Sequence, residues 1–353
     1  MKILHLLNSD KYSGAENVAC QIIQMMAEEH AESAYASPNG PIGEALADKG
    51  IRFFPMEKVS SQEVRRVIKE FQPDVIHAHD MGASFNAALV CKRIPLISHI
   101  HNNNFNSRGV SPKSIAYLLA GWKAKHIFWV SDSSYKGYCF HSLLAKKSTV
   151  LYNIIDTESV CRNAEEDPNQ YPYDVIYIGR LTYQKNPQRL MEVFSKVAKQ
   201  RPGTKFAVVG VGELEEETKK LAQQLNLEKN VDFLGFRKNP HKMLKGAKVM
   251  VMTSRWEGTP MCALEAQALG VPIVSTPADG LTALVKNDET GYLSESDDVL
   301  AEKILQVLNN KDLHQSLSVN AVAQSKGMNN KEQYKKTIWA EYPERNSCSA
   351  VPN

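Results

Sequence analysis

The sequence has few cysteines, no long apolar run and little net charge. Its 353 residues include six cysteines, none in a C-x-x-C pair or at the spacing of a metal site, which excludes a disulfide-stapled scaffold. No apolar run reaches the ~18 residues that a membrane span requires, and the first run stops at Asn8, too short for a signal peptide. The formal net charge is only +3, and no nucleic-acid-binding motif is present. These absences predict a reduced, cytoplasmic protein.

Strand-like apolar runs alternate with amphipathic helical segments along the chain, which is typical of parallel α/β folds. The runs lie at 3–7, 75–77, 96–99, 127–130 and 149–151, and again at 175–178, 205–209, 231–234, 249–252 and 272–274. Between the two groups, residues 162–170 are polar and acidic, as in a linker. We therefore predict one α/β domain over 1–163, a second over 171–331 and a flexible tail over 346–353.

The stretch W-E-G-T-P-M-C-A-L-E at residues 256–265 has the local chemistry of a binding site. Thr259 and Pro260 are predicted as the N-cap and first-turn residue of a helix over 261–269. Pro260 has no N–H, whereas the N–H groups of Met261 and Cys262 would point out of the helix start unpaired. With the positive end of the helix dipole, these two donors predict an anion site.

Two carboxylates flank this helix start. Glu257 precedes it, and Glu265 lies about 7 Å further along the helix axis. A carboxylate beside a phosphate is repulsive, so we expect both to accept hydrogen bonds from hydroxyl groups on either side of the phosphate. A ligand with a sugar on each side of a phosphate group has the arrangement of a nucleotide-sugar. The alternative from these residues alone is an ordinary capped helix with two surface acids.

The two glutamates, seven residues apart in E-G-T-P-M-x-x-x-E, resemble the paired-glutamate motif of family-4 retaining glycosyltransferases with the GT-B fold. Three further segments match this family in the expected order. They are the G-R-L-x-x-x-K-N segment at 179–186, the V-G-x-G turn at 209–212 and the V-x-F-x-G strand at 231–235. The resemblance is to bacterial enzymes of the polysaccharide or exopolysaccharide type.

The resemblance implies the fold and the reaction. It implies two Rossmann-like parallel-sheet domains that face each other across a cleft, an acceptor-side domain over 1–163 and a donor domain over 171–331. A last helix, at about 332–345, would cross back onto the first domain. The implied enzyme is a retaining hexosyltransferase that moves a hexose from a UDP-sugar to a lipid-linked or polysaccharide acceptor in cell-surface glycan synthesis. No D-x-D motif lies in the candidate site segments, so we expect no metal and no cofactor besides the nucleotide-sugar.

The resemblance also implies roles for particular residues. Arg180 and Lys185 would meet the donor diphosphate, Glu265 the ribose hydroxyls, and Glu257 the hexose. His101 matches the active-site histidine that contacts the donor sugar, with catalysis assigned to His101, Glu257, Arg180 and Lys185. His99 is the alternative, because the alignment could slip by two. The remaining predicted donor-binding residues are Gly14, Gly179, Gly212, Phe236, Arg237, Gly258, Thr259, Pro260, Met261 and Cys262.

Two features of the first domain leave alternatives open. The family usually has two glycines in the first loop, and here Ser13 precedes Gly14. Two H-x-H pairs, His77 with His79 and His99 with His101, follow strands with both members on one face, as in some metal sites. The alternative is that His77 and His79 are core residues or support the site indirectly. Two other functions also stay open: a GT-B nucleotide-sugar epimerase, and a donor-binding protein without transfer activity.

Residues 91–150 are strongly basic, with nine Lys and Arg against one acid, and aromatic residues are interleaved with them. Without a nucleic-acid-binding motif, an anionic membrane surface or a lipid-pyrophosphate acceptor fits this stretch better than nucleic acid. The prediction is a peripheral location on the inner face of the cell membrane. The alternative is a solvated basic face over a buried aromatic core.

Overall fold

The computed structural model describes residues 1–102 and 107–343. It divides into two compact units, Met1–Asn153 together with the segment from Lys331, and Ile154–Asn330. The boundary precedes the position at 163 that the sequence predicted, because the first half of the acidic stretch is the end of a helix, Thr157–Glu166. Asp156 caps this helix by accepting a hydrogen bond from the Ser159 N–H at 2.9 Å.

The first unit is built on a seven-stranded parallel sheet with the order β3-β2-β1-β4-β5-β6-β7. The strands are β1 (Lys2–Leu6), β2 (Glu32–Pro38), β3 (Arg52–Met56), β4 (Val75–Ala78), β5 (Leu96–Ile100), β6 (His126–Trp129) and β7 (Ser148–Val150). The order reverses between β1 and β4. In open parallel sheets, ligands bind outside the carboxyl ends of the strands at such a reversal.

Helices cover both faces of this sheet. They are α1 (Gly14–Glu28), α2 (Ile42–Asp48), α3 (Ser61–Phe71), α4 (Met81–Val90), α5 (Pro112–Lys123), α6 (Asp132–Lys136) and α7 (His141–Leu144). Apolar side chains of α3, α4 and α5 pack on one face, and those of α1 and α2 pack on the other. Both faces are therefore buried, as the continuous apolar character of the strands requires.

The second unit contains a six-stranded parallel sheet with the order β10-β9-β8-β11-β12-β13. Its strands are β8 (Val175–Ile178), β9 (Phe206–Val209), β10 (Val231–Gly235), β11 (Val249–Met252), β12 (Ile273–Ser275) and β13 (Gly291–Leu293). Its helices are α8 (Thr157–Glu166), α9 (Pro187–Gln200), α10 (Glu215–Gln224), α11 (His241–Gly246), α12 (Met261–Ala268), α13 (Leu281–Leu284), α14 (Asp297–Asn309) and α15 (Lys311–Met328). Here the order reverses between β8 and β11. The prediction of two parallel-sheet α/β domains is confirmed.

The last helix of the described ranges, α16 (Lys331–Trp339), belongs to the first unit. Its Lys335 ammonium lies 3.1 Å from carboxylate oxygens of both Glu28 and Glu29 at the end of α1. Beyond the helix, the Tyr342 hydroxyl lies 2.7 Å from His77 Nδ1. The predicted helix at 332–345 thus ends earlier than expected, and its last two positions, like the tail at 346–353, lie outside the described residues. Among the described helices, none is long and apolar enough to cross a bilayer.

Candidate active site

The carboxyl ends of β8 and β11 carry most of the residues predicted to bind a nucleotide-sugar. These strands are neighbours at the reversal of strand order. The turn 179–186 follows β8 and the loop 253–260 follows β11. Three hydrogen bonds between them are Arg255 N to Gln184 O at 2.8 Å, Gln184 Nε2 to Trp256 O at 2.9 Å and Thr253 Oγ1 to Asn186 O at 3.1 Å. The two segments therefore form one connected scaffold.

Lys185 and Glu257 form an ion pair across this scaffold. The Lys185 ammonium lies 2.5 Å from Glu257 Oε1, and the side chains retain only 12% and 4% of their exposure. The Ser254 hydroxyl donates to the same oxygen at 2.5 Å. Because the pair is shielded from water, loss of one partner would leave an uncompensated buried charge. The separate ligands predicted for the two side chains stay predictions, and the structure adds that the side chains contact each other.

Arg255 was not among the predicted site residues. Its Nε donates to Tyr183 O at 3.0 Å, and one terminal nitrogen donates to Asn186 Oδ1 at 2.8 Å. Asn186 has a φ of 53°, in the left-handed region that few non-glycine residues adopt. Arg255 thus stabilises the turn that carries Lys185. The only signal in the sequence was its place directly before W-E-G.

Helix α12 begins at Met261 as predicted, but its N-cap is Pro260 and not Thr259. The reason is that Pro260 has extended backbone, with a ψ of 119°, and so lies outside the helix. Its side chain gives no cap hydrogen bond, and in the described ranges no other residue accepts a hydrogen bond from the N–H of Met261 or Cys262. The helix start therefore keeps two donors at the positive end of its dipole. Burial raises the pKa of the Cys262 thiol to about 12, so this side chain stays uncharged.

Glu265 lies in the second turn of α12, where it has a partner that the sequence analysis missed. His241 Nε2, at the start of α11, is 3.8 Å from Glu265 Oε1, and both side chains are mostly buried. At this distance the two side chains lie in polar contact without a hydrogen bond. No local pattern predicts this pair, because the two residues come from different helices.

Gly212, one of the predicted donor-binding residues, and Gly280, which was not predicted, are both required by packing within the unit. A Cβ at Gly212 would collide with the carbonyl oxygen of Leu181. Likewise, a Cβ at Gly280 would collide with the carbonyl oxygen of Gly258, which brings the loop after β12 against the start of the α12 segment. Gly212 therefore supports the turn between Gly179 and Lys185, and a contact with the donor stays a prediction.

Three predicted residues have side chains that take no part in the hydrogen bonds of this scaffold. Arg180 is exposed, and within the described ranges its guanidinium has no hydrogen-bond partner. Phe236 is 64% exposed, and Arg237 is exposed beside it. Both follow β10, an edge strand separated from β11 by β9 and β8. Within the described ranges neither side chain has a hydrogen bond or ion pair with Lys185 or Glu257, and their contacts with the donor stay predictions.

In the first unit, Gly14 is the first residue of α1 and is exposed. The preceding Ser13, which replaces a family glycine, donates its hydroxyl to Glu16 Oε2 at 2.5 Å, and its N–H to the same oxygen at 3.1 Å. The Glu16 carboxylate thus lies at the N-terminus of α1, where an anion could otherwise bind. The predicted donor contact of Gly14 stays a prediction.

A column of five imidazoles lies at the carboxyl ends of the central strands. It consists of His5, His77, His79, His99 and His101, which are 0–8% exposed. His77 and His79 stack with ring centroids 4.4 Å apart, as do His99 and His101. Burial lowers the pKa of every member, for His5 and His101 to about 3. All five imidazoles are therefore neutral at pH 7.

His101 follows the end of β5, whereas the alternative active-site residue, His99, lies inside that strand and is fully buried. The geometry favours His101 of the two. Within the column, one nitrogen from each of His5, His77 and His79 lies within 4.8 Å of the other two, and the same holds for His79, His99 and His101. Either triad has the donor type of a zinc site, so metal binding is a question of nitrogen geometry.

The basic stretch 91–150 presents an apolar stripe on α5. Ile115, Leu119 and Trp122 are about half exposed at helical spacing. Tyr117 and Leu118 are buried and contribute to the core instead. Of the basic residues, Lys123, Lys125 and Lys147 donate hydrogen bonds to the backbone carbonyls of Ala88, Glu341 and Ala124, each at 2.7 Å.

Comparison with known proteins identifies the family. A sequence model for "Glycosyltransferase Family 4" matches residues 12–159, and one for "Glycosyl transferases group 1" matches residues 162–324. An α-1,3-galactosyltransferase of Escherichia coli, acting on GlcNAc-diphosphoundecaprenol with UDP-Gal, is 25% identical over 85% of each chain. An uncharacterised glycosyltransferase of Methanocaldococcus jannaschii is 30% identical, over 61% of this chain and 58% of that protein.

Solved structures agree with this assignment at the level of the fold. HepE of Anabaena, in complex with UDP-glucose, superposes with a TM-score of 0.85. The alignment covers 96% of this chain and 98% of HepE, at 22% identity. A similar likeness holds for TarM, with a TM-score of 0.78 and 14% identity over 97% and 98% of the two chains. With both halves matched, the chain belongs to the family-4 glycosyltransferases of the GT-B fold.

Proposed function

We propose that the protein transfers a hexose from a UDP-sugar with retention of the anomeric configuration. The observation that carries this proposal is the Lys185–Glu257 pair beside the start of α12, with Glu265 one turn further along. One cation and two free N–H donors suit a diphosphate, and two carboxylates suit the hydroxyl groups of ribose and hexose. UDP is bound to the structurally similar HepE, which supports it as the nucleotide.

The donor site requires no metal in this proposal. Lys185, the exposed Arg180 and the N–H groups of Met261 and Cys262 supply the positive charge that the leaving diphosphate needs. Arg180 offers a planar fork and Lys185 a mobile point charge, so the two cations serve different geometries. Glu265 would accept hydrogen bonds from the ribose, and Glu257 from the hexose. The predicted contact of His101 with the donor sugar is part of the same proposal.

No described side chain of this scaffold suits the role of covalent nucleophile. Glu257 Oε1 already accepts from Lys185 and Ser254, and Cys262 is held as a neutral thiol. We therefore favour a front-face displacement. The bond from C1 to the diphosphate oxygen breaks while the acceptor oxygen bonds to C1 on the same face. The acceptor proton passes to the leaving diphosphate, and UDP departs.

The proposed acceptor is a lipid-linked saccharide or a polymer of the cell surface. Two relatives support this class: the E. coli enzyme is named for a diphosphoundecaprenol acceptor, and a Staphylococcus aureus relative, 25% identical, for poly(ribitol-phosphate). The sugar transferred is left to experiment.

A two-step experiment tests the function. First, a thermal-shift panel of UDP-, GDP- and ADP-sugars should show stabilisation by a UDP-sugar, which at 100 times its dissociation constant adds ~2.7 kcal/mol. Second, NMR analysis of products with and without a polyprenyl-diphosphate saccharide should show an α-linked product in excess EDTA. An epimerised UDP-sugar without acceptor would indicate the epimerase instead. Stabilisation without any product would indicate a donor-binding protein, and loss of activity in EDTA that Mg²⁺ restores would refute the metal-free site.

We further propose that the stripe of Ile115, Leu119 and Trp122 inserts into an anionic bilayer, which would place the protein on the inner face of the cell membrane. Exposed Lys113 and Lys146 lie in the same basic stretch, and within the described ranges neither ammonium has a protein partner. Such charges attract anionic lipid by about 1 kcal/mol each, and large apolar side chains add buried area.

Vesicle binding tests this surface. Binding should rise with the fraction of phosphatidylglycerol and fall with salt, because salt screens the attraction. Trp122→Ser and Lys113→Glu should each weaken binding several-fold while leaving UDP-sugar affinity unchanged. The control Val319→Ser removes an equally exposed apolar side chain from α15 in the other unit. If vesicle binding depended neither on lipid charge nor on these two substitutions, the stretch would be a solvated basic face and not a membrane-binding surface.

A further inference from the structure

Three of the five buried imidazoles are hydrogen-bonded in series. His5 Nδ1 lies 2.9 Å from His79 Nε2, and His79 Nδ1 lies 3.0 Å from His101 Nε2. His77 and His99 stack beside this series without joining it. We call His5, His79 and His101 the imidazole chain.

The chain has a direction. Each of its two hydrogen bonds needs one N–H and one lone pair, and a neutral imidazole carries one of each. If the proton of His79 is on Nδ1, it donates to His101 and must accept from His5. If it is on Nε2, both bonds reverse. The three tautomers are therefore coupled, and one measured tautomer fixes the others.

The two directions differ in where they leave an unpaired donor. The end nitrogens, His5 Nε2 and His101 Nδ1, have no hydrogen-bond partner among the described residues. With the protons directed away from His101, the free N–H would be on His5, which is 0% exposed. With the protons directed toward His101, it would be on Nδ1 of a residue beyond the end of β5, which retains 8% exposure although Nδ1 itself is buried. A buried N–H without an acceptor is costly at either end, and only at the carboxyl end of the sheet can a bound ligand supply the acceptor, so the second direction is favoured.

We infer that His5 and His79 are positioning residues that hold His101 as a neutral imidazole with its proton on Nδ1. His101 then offers an N–H donor, and not an acceptor, to a ligand oxygen at the carboxyl end of the first sheet. The inference rests on the proposed function only for the nature of that ligand, a sugar hydroxyl. The low pKa of all three imidazoles keeps the chain free of a third proton at neutral pH.

The nitrogen distances favour hydrogen bonds over a metal ion. Zinc at 2.0–2.1 Å from two tetrahedral ligands separates their nitrogens by about 3.3 Å, longer than either contact in the chain. Both nitrogens of His79 are already engaged, so coordination by either triad would have to break the chain. In addition, no carboxylate belongs to either triad to balance a divalent charge.

NMR of the full-length protein with ¹⁵N-labelled histidine tests the inference directly, because protonated and bare imidazole nitrogens have well-separated shifts. At pH 7, the signals of His5, His79 and His101 should each show the proton on Nδ1. Assignment uses His101→Asn, which removes one set of signals. A proton on Nε2 of His101 in the unaltered protein overturns the inference, whatever the variants do.

A matched pair of variants tests the coupling. In His79→Phe the chain is cut, and His101 should revert to the Nε2–H form that free histidine prefers. In His99→Phe a ring that stacks on the chain is replaced while both hydrogen bonds of the chain remain, so His101 should keep Nδ1–H. A folded His79→Phe protein in which His101 keeps Nδ1–H overturns the coupling. So does a shift of the His79 signals on addition of one equivalent of Zn²⁺.

Transfer kinetics then separate this inference from the proposed function. With the donor and acceptor identified, kcat/KM should fall about tenfold in His79→Phe and stay within twofold in His99→Phe. If no donor gives product, the function fails while the NMR result still decides the tautomers. If transfer is normal but His101 carries Nε2–H, the inference fails alone.

Discussion

The two parallel sheets bury polar side chains at their carboxyl ends by opposite means. In the second unit, a cation meets an anion: Lys185 contacts Glu257, which also accepts from Ser254. In the first unit, the buried groups are five imidazoles that are uncharged at pH 7 because burial lowers their pKa. The comparison shows that the same topology can hold polar groups through complementary charge or through neutrality.

Each solution has its own weakness. A buried ion pair tolerates pH change but not the loss of one partner. A neutral histidine column tolerates the loss of one ring better, but it cannot accept protons without burying charge. Five imidazole nitrogens of the column, including both of His99, have no partner among the described residues. The first unit should therefore be sensitive to acid, and the second to single substitutions.

The largest expected effect is acid destabilisation of the first unit. The folded pKa values lie below the ordinary 6.5, so the unfolded chain binds more protons as the pH falls. The contribution of the neutral histidines to the free energy of unfolding is therefore fully present above about pH 6.5 and is lost as the pH falls toward 3. Between pH 7 and 5.5 the loss is about 1 kcal/mol for each histidine. Hydrogen exchange of peptides from both units, corrected for intrinsic exchange rates, measures the loss of stability of each unit as the pH falls.

The control for this prediction is His99→Phe, which removes one titrating ring. It should recover about 1 kcal/mol of the loss at pH 5.5 relative to the unaltered protein. If the two units lost stability equally at low pH, the buried histidines would not be the cause of acid sensitivity in the first unit.

Loss of one member of the ion pair is the next effect in size. Lys185→Met should destabilise the second unit by about 3 kcal/mol, since Glu257 is left buried and unpaired. Turnover should fall about 100-fold, because the leaving diphosphate loses a cation. The double variant Lys185→Met/Glu257→Leu should regain most of the stability and none of the activity. Denaturant midpoints and kcat give both quantities, and an equally unstable double variant would contradict the ion-pair account.

A smaller effect separates the two glutamates. Glu265→Ala should weaken binding of free UDP by about 1.5–3 kcal/mol in calorimetry, because the ribose loses a charged acceptor. Glu257→Ala should spare free UDP and reduce turnover of the UDP-sugar. If Glu265→Ala left UDP affinity unchanged, or if both variants weakened UDP binding equally, the assignment of Glu265 to the ribose and Glu257 to the hexose would be wrong.

The smallest effect concerns His241. If His241 supports Glu265 through their 3.8 Å polar contact, His241→Phe should weaken UDP binding by about 1 kcal/mol, and His241→Gln, which keeps a polar group beside the carboxylate, by less. Calorimetry with the two variants compares these values. An identical loss in both would show that packing, and not the polar contact with Glu265, determines the effect at this position.

Much of the fold was predictable because long apolar runs mark buried parallel strands. The three strands that were missed explain the limit. β2 has the sequence E-S-A-Y-A-S-P, rich in residues of low strand propensity, and β13 has only three residues. β3 ends at Met56 after a proline, which fits its place at the edge of the sheet. Their pairing partners, and not their own residues, make them strands.

The candidate site divides in the same way. Glu257, Glu265, Lys185 and the helix start after Pro260 were recognisable because their signals are local. Arg255 and His241 were not, since each acts through contacts with a distant segment. The N-cap was misplaced by one residue because threonine is the better capping residue, whereas the backbone of Pro260 decided where the helix begins.

The sequence by itself determined the class of fold, the family and the side chains at the helix start, because periodicity and short motifs depend on neighbours in the chain. Only the tertiary structure decided that Lys185 meets Glu257 across 72 positions, and that histidines from three strands form one column. The physical reason is that parallel strands bring their carboxyl ends to one edge, and the register between them is set by packing across the whole sheet.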